Sequence, residues 1–214
     1  MSDDLFVNRR MNLHGEIKNL VWPKKDINCM GIILKDWQRN GYAYTTIPQQ
    51  YRVAVQAGGN CGLYPHLLAR HFQKVFTFEP DPINFHCLTR NCMNENIVKF
   101  NTALSDEEGF VSMGNPDPTN VGMTRIGDGK ISAYALTLDS LCIENVDLIQ
   151  WDLEGHEYNA LLGAAKTIKR CKPVIALEMG GDTELIYEYM NSIGYTESLK
   201  VNMDSIFVPK RKKK

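Results

Sequence analysis

Long apolar runs are missing: nowhere in the 214 residues does one approach the roughly 20 residues that a membrane-crossing helix requires. The opening Met1-Ser2-Asp3-Asp4 also lacks the basic-then-apolar layout of a secretion signal, so a soluble cytoplasmic protein is expected. The six cysteines (Cys29, Cys61, Cys87, Cys92, Cys142 and Cys171) form no C-x-x-C pair and have no histidine at zinc spacing. Neither a metal site nor a disulfide framework is expected from them; they read as small core residues in a reducing compartment. His14, His66, His71 and His86 likewise show no ligand spacing. No internal repeat is visible.

An excess of positive charge is also absent. There are 24 Lys+Arg against 25 Asp+Glu, a net of −1, and five of the bases are Lys210-Arg211-Lys212-Lys213-Lys214; without them 19 stand against 25, a net of −6. A body acidic on balance opposes the counterion release that drives binding to nucleic acid, which makes nucleic acid an unexpected partner. The basic end, 209–214, reads as a solvated tail. With 43% hydrophobic and 23% charged residues, the chain fits one globular domain able to bury its own core. Nothing in these numbers fixes an oligomeric state.

What is present centres on Val53-Ala54-Val55-Gln56-Ala57-Gly58-Gly59-Asn60-Cys61-Gly62-Leu63. A β-branched run breaks into glycines and then into a helical pattern: strand, tight turn, helix start. Glycines at 58, 59 and 62 clear Cβ atoms from the backbone and permit a positive φ. The next strand, Val75 to Glu79, ends in an acid about 20 residues after the first glycine, the spacing at which a carboxylate meets ribose hydroxyls. An adenosyl-type ligand fits that pair of features. The G-x-G-x-x-G spacing of dinucleotide enzymes is absent, and a tight turn with no ligand is the alternative for the glycines alone.

Taken in order, residues 1–50 form an N-terminal extension without clear alternation. Within it Ile27, Met30, Ile33, Leu34 and Trp37 recur at helical intervals until Asn40-Gly41, which predicts a helix over 27–37. From 51 to 208 strands and helices alternate: a helix over 64–72, a helix opening at Pro82, a third strand over 97–104, a strand over 146–152, a helix over 158–170, a strand over 173–178, a helix over 184–190 and a closing strand over 205–208. That rhythm implies parallel strands, right-handed crossovers and a ligand at their carboxyl ends. Gly109 to Ala133 interrupts it with turn formers and reads as a surface excursion, a candidate for substrate contact in which Arg125 can clamp an anionic group. An ordinary solvated arginine is the alternative.

With the glycine turn, Phe78-Glu79-Pro80-Asp81-Pro82, Asn91, Ala103-Leu104-Ser105, Thr137-Leu138-Asp139 and Asp152-Leu153-Glu154-Gly155-His156-Glu157 in this order, the chain resembles the FkbM-type methyltransferases over roughly 53–178. The resemblance implies an α/β, Rossmann-like, class I methyltransferase fold: a seven-stranded, mostly parallel sheet with helices on both faces, here with an N-terminal helical extension. It implies S-adenosylmethionine as cofactor, held by Gln56, Ala57, Gly58, Gly59, Asn60, Gly62, Glu79, Pro80, Ala103, Leu104 and Asp152. The methionine part would lie on the glycines, the ribose on Glu79 and the adenine against Ala103-Leu104. Gln56 stands where the family commonly has an acid, so it can accept from the cofactor ammonium without adding charge.

The usual family reaction is methyl transfer to a hydroxyl of a sugar or natural product. Such a transfer requires alignment, exclusion of water and removal of the hydroxyl proton. His156 is the candidate base, with Asp152 and Glu154 as competitors, and His156 and Arg125 are the candidate substrate contacts. The alternatives are that Asp152 caps the next helix, that Glu154 and Glu157 favour its positive end, and that His156 is a surface residue. Methylation of nucleic acid or protein, and a cofactor-binding module without turnover, remain the other functional readings.

Overall fold

The computed structural model describes residues 3–13, 16–115, 117, 119–127 and 129–210. His14 and the tail residues 211–214 lie outside them.

The chain opens with β1 (Phe6–Leu13) and β2 (Glu16–Pro23), an antiparallel hairpin, followed by α1 (Cys29–Thr46). The expected helical extension is therefore a helix preceded by a hairpin. The hairpin escapes a pattern search because its support is tertiary: Asn91 Nδ2 donates to Val21 O at 2.8 Å and Asn91 Oδ1 accepts from Val21 N at 2.8 Å. Helix α1 also runs past its expected stop. Gly41 lies under the Trp37 ring, where an added Cβ would come within 2.7 Å, and Asn40 Nδ2 donates to Asp204 Oδ2 at 2.6 Å. Both residues are used for packing rather than for a turn.

Next come β3 (Val53–Ala57), α2 (Leu63–Leu68), β4 (Lys74–Phe78), α3 (Pro82–Asn91) and β5 (Ile97–Phe100). Asp81 caps α3 through Ile83 N and Asn84 N, with Pro82 at the first helical position. The expected strand over 97–104 is broken at Asn101, whose Nδ2 donates to Glu79 O at 2.8 Å. Its second half, β6 (Ala103–Leu104), joins another sheet.

The expected excursion is itself sheet: β7 (Gly109–Gly114), β8 (Arg125–Ile126) and β9 (Ile131–Leu136) make a four-stranded sheet in the order β6-β9-β7-β8. Alternation was present in its sequence, since Met113, Ala133 and Ala135 point inward while Phe110 and Tyr134 are exposed. The turn formers between the strands hid it.

The last elements are β10 (Val146–Trp151), α4 (Glu157–Leu162), α5 (Ala165–Cys171), β11 (Val174–Glu178), α6 (Thr183–Ser192), β12 (Tyr195–Val201) and β13 (Asp204–Pro209). The expected helix over 158–170 is two helices, because Gly163 backs onto the Ser105 carbonyl and an added Cβ would come within 1.9 Å of it. Asp139 then starts α5 by accepting from Lys166 N and Thr167 N at 2.8 and 2.7 Å.

The seven-stranded sheet has the order β12-β13-β11-β10-β3-β4-β5, and only β13 runs against the others. Successive residues of each strand feed opposite faces. Ala54, Leu148, Ala176 and Ile206 pack with Trp37 and Tyr44 of α1 and with Leu67, Leu68 and Leu88. Val55, Ile149, Ile175, Leu177 and Phe207 pack under Leu161, Ile168, Ile186 and Met190. Helices therefore cover both faces, each fully buried Leu or Phe contributing about 1.5–3 kcal/mol relative to exposure. Among the described residues no helix is long and apolar enough to cross a membrane.

Candidate active site

The direction of strand order reverses between β3 and β10, and a crevice opens at their carboxyl ends. About 1030 Å³ of empty space, part of it open solvent, lies within it. Ala57, Gly58 and Asn60 line it after β3, Glu79 and Pro80 after β4, Asp152, Leu153 and Glu154 after β10, and Glu178 at the end of β11.

The glycine turn is built by close packing. Gly58 has φ 76°, and a Cβ there would stand 1.9 Å from the Asp152 carbonyl oxygen. Gly59 and Gly62 do not line the crevice. A Cβ on Gly59 would meet Leu88 and Thr77 at 2.6 and 2.7 Å, and one on Gly62 would meet the Cys92 sulfur at 2.7 Å. Their side-chain-free surface faces α3 and β4, so helix-to-strand contact explains both. Gln56 also faces inward. Fully buried, it donates from Nε2 to Ala57 O and Gly58 O at 3.0 and 3.1 Å and accepts from Thr77 at 2.6 Å. Both ends of the amide bond to or beside the turn, so Gln56 holds the loop that lines the crevice.

Glu79 is 5% exposed and carries the crevice at the end of β4. Its Oε2 accepts from Asn60 N at 2.6 Å and its Oε1 from Asp81 N at 2.8 Å. Burial pushes the carboxyl up to about 8, and the two N–H groups oppose that rise. Each oxygen retains a lone pair for a further donor.

On the other side three carboxylates converge: Asp152, Glu154 and Glu178 each offer an oxygen within 4.8 Å of the others. The loop between them is held by Glu157, which folds back to accept from Leu153 N at 2.7 Å, while Glu154 turns the chain at φ 54°. Burial, then repulsion from Glu178, raises Asp152 well above the usual carboxylate range. The same two causes lift Glu154 to about 7 against the pull of Arg125. Counting Asp36 of α1, five acids and one arginine line the crevice among the described residues.

The outer wall is fastened by Asp26, which is fully buried. It accepts from Trp22 Nε1 at 2.8 Å, from Cys29 N at 3.2 Å and from Val121 N at 3.3 Å, and its carbonyl takes a bond from Arg9. One side chain thus joins the hairpin, the start of α1 and the short 3-10 turn Val121–Met123. Asn84 Nδ2 adds a bond to Val121 O at 3.0 Å. This brings Val121, Gly122, Thr124 and the exposed Arg125 over the crevice.

His156 precedes α4, without capping it through its side chain, and lines the crevice near Ala103 and Leu104. Its Nε2 lies 2.9 Å from Ser105 Oγ. Burial lowers its pKa below the ordinary 6.5, Asp106 opposing, so the ring is neutral at pH 7.

A model of the FkbM methyltransferase domain matches residues 62–197. The chain belongs to the FkbM methyltransferase family. An FkbM methyltransferase from Methylobacillus flagellatus KT superposes with a TM-score of 0.57 at 21% identity, over 73% of this chain and 43% of that one. A T. thermophilus 16S rRNA methyltransferase, in complex with AdoMet and guanosine, gives a TM-score of 0.55 at 14% identity, over 97% and 51%. A Pyrococcus abyssi tRNA methyltransferase in complex with S-adenosyl-L-homocysteine gives 0.52 at 13%, over 95% and 44%. The chain thus spans about half the length of these structures or less. At these identities the likeness shows the class I methyltransferase fold alone. No curated protein matches the chain in sequence.

In this FkbM-family chain the crevice brings together Ala57, Gly58, Asn60, Glu79, Pro80, Ala103, Leu104, Arg125, Asp152, Glu154 and His156 of the residues singled out from sequence. It leaves out Gln56, Gly59 and Gly62 for the packing reasons above. Sequence reasoning missed Asp36, Asn84 and Glu178. Glu178 was open to discovery, since it ends a strand in an acid as Glu79 does. Asp36 carried no signal, because only the docking of α1 brings it to the crevice.

Proposed function

We propose that this chain is an S-adenosylmethionine-dependent methyltransferase acting on a hydroxyl of a sugar or small natural product. The observation that carries the cofactor is Glu79: a buried carboxyl on the crevice, braced by two backbone N–H groups, whose ionised form keeps lone pairs free to accept from both ribose hydroxyls. Ala103 and Leu104 offer an apolar wall for adenine. Among the described residues only Arg125 lines the crevice to offset the acids at Asp152, Glu154 and Glu178, so a cationic amino or sulfonium group relieves their repulsion. When bound, the cofactor supplies a methyl group on a positively charged sulfur.

For the acceptor, the neutral His156 on the same wall supports a hydroxyl, which must lose a proton as it attacks. Among the described lining residues Arg125 alone offers a phosphate a cationic partner, which favours a small acceptor over RNA even though two of the structural neighbours are named as RNA methyltransferases. Incubation with methyl-labelled S-adenosylmethionine and separate pools of sugars, natural products, total RNA, DNA and protein tests both parts. Label in a hydroxyl-bearing small molecule is expected. Label confined to a macromolecular pool overturns the acceptor class, and cofactor binding without label in any pool favours a binding module.

A further inference from the structure

Behind the crevice wall, a chain of hydrogen bonds leads from the surface to His156. Asn159 Nδ2 donates to Asp106 Oδ1 at 3.2 Å, the Ser105 hydroxyl donates to the same oxygen at 2.9 Å, and Ser105 Oγ lies 2.9 Å from His156 Nε2. Ser105 is buried and its backbone is pinned on both sides. Its N–H donates to Leu136 O at 3.0 Å, and its carbonyl is backed by Gly163, where a Cβ would come within 1.9 Å.

The proton count sets the direction of this chain. Burial disfavours the charge on Asp106, yet hydrogen bonds from Ser105 and Asn159 outweigh it and hold the carboxyl below its usual range. An ionised carboxylate only accepts, so the single Ser105 proton goes to Asp106. The serine oxygen then has lone pairs alone to offer His156. Nε2 must carry hydrogen, which leaves the lone pair of the imidazole on Nδ1.

We propose that Ser105 and Asp106 are positioning residues that lock His156 as the Nε2–H tautomer and so make Nδ1 the atom that takes the acceptor's hydroxyl proton. This rests on the methyl-transfer reading above. As the acceptor oxygen bonds to the methyl carbon, the carbon–sulfur bond breaks and its electron pair stays on sulfur, cancelling the positive charge there. The hydroxyl proton passes to Nδ1, so the positive charge ends on the imidazolium, which the Asp106 carboxylate favours through Ser105. Among the described residues, the charged groups lining this part of the crevice include Asp152 and Glu154 on the adjoining loop, Arg125 on β8 and Glu178 on β11, with Glu157 buried in the first turn of α4.

Long-range proton–nitrogen correlation spectra of the histidine-labelled full chain test the lock without turnover, the His156 signals being identified by their loss in His156→Gln. The wild type is expected to show protonated Nε2 and bare Nδ1. Ser105→Ala should mix the tautomers, Ser105→Thr should restore the wild-type pattern, and Asp106→Asn should lower the His156 pKa. In parallel, the acid limb of kcat/KM should move to lower pH in Asp106→Asn by the shift seen in the spectra. Ser105→Ala should lose about tenfold in kcat with KM for the cofactor unchanged, less than the roughly 10²-fold loss on removing the base itself. A wild type carrying its proton on Nδ1, a His156 pKa unmoved in Asp106→Asn, or a pKa that moves while the acid limb stays put overturns the proposal. If the wild type transfers no methyl to any hydroxyl, the base role falls with the functional reading, and the spectra tell the two failures apart.

Discussion

The Asn60 backbone N–H donates to the Glu79 carboxylate at 2.6 Å, tying the turn after β3 to the end of β4. Asn60 reaches this position with φ 47°, a conformation Asn tolerates better than most residues. The acid that faces the crevice and the loop that lines it are thus one unit.

Glu79→Gln removes that unit's chemistry at constant shape. Both oxygens now accept from backbone N–H groups, so the new amide must turn its own donor toward one of them. A loss of about 1–3 kcal/mol in stability is expected. Affinity for S-adenosylmethionine should fall at least about tenfold, or about 1.4 kcal/mol. Urea melts and calorimetric titration measure the two effects.

Gly58→Ala and Gly31→Ala should have opposite effects. At Gly58 the methyl would strike the Asp152 carbonyl at a positive φ, and a loss of about 3 kcal/mol or more is expected together with loss of cofactor binding. Gly31 lies exposed in α1 with nothing near its Cβ position, so alanine there should add about 0.5–1 kcal/mol. Thermal melts of the pair separate a steric requirement from a general intolerance of change.

Much of the architecture was legible because βα alternation writes itself into sequence as buried runs, turn residues and helical spacing. Val53–Ala57 and Val146–Trp151 are such runs, and Asp81-Pro82 is a helix start in plain view. Illegible features were those decided at long range. The β1/β2 hairpin depends on Asn91, the continuation of α1 on Trp37 and Asp204, and strand β12 is polar and exposed along most of its length. Glycine is the instructive case at the site: three glycines in one turn suggested three contacts for a ligand, but only Gly58 faces the crevice, and the other two admit Leu88, Thr77 and Cys92.

Asp26→Ala should loosen the outer wall of the crevice. Three donors, Trp22 Nε1, Cys29 N and Val121 N, lose a buried acceptor at once, and a cost of about 2–4 kcal/mol is expected. Hydrogen exchange should speed up at the Val121 and Cys29 amides while the β3 and β10 amides stay protected. Asp26→Asn, which keeps an acceptor oxygen, should show a smaller effect on the same amides.

Stability should fall as pH rises from about 4 to about 8. Burial lifts Glu79 to about 8, Glu154 to about 7 and Asp204 to about 6, from ordinary values of 4.5, 4.5 and 3.8. Across that window the folded state binds more protons than the unfolded chain, so the stabilisation present at low pH is lost as pH passes each folded value. His156, whose pKa is lowered, opposes this trend near its ordinary 6.5. Melting temperatures between pH 5 and pH 9 measure the slope, which should flatten near pH 8 in Glu79→Gln.

A crystal structure of the chain with S-adenosylhomocysteine bears most directly on the assignment. The expected density places the ribose hydroxyls on the Glu79 carboxylate, the adenine beside Leu104 and the sulfur on the side of the crevice shared by Asp152 and His156. A nucleoside bound elsewhere, or a Glu79 carboxylate that makes no contact with it, would contradict the account.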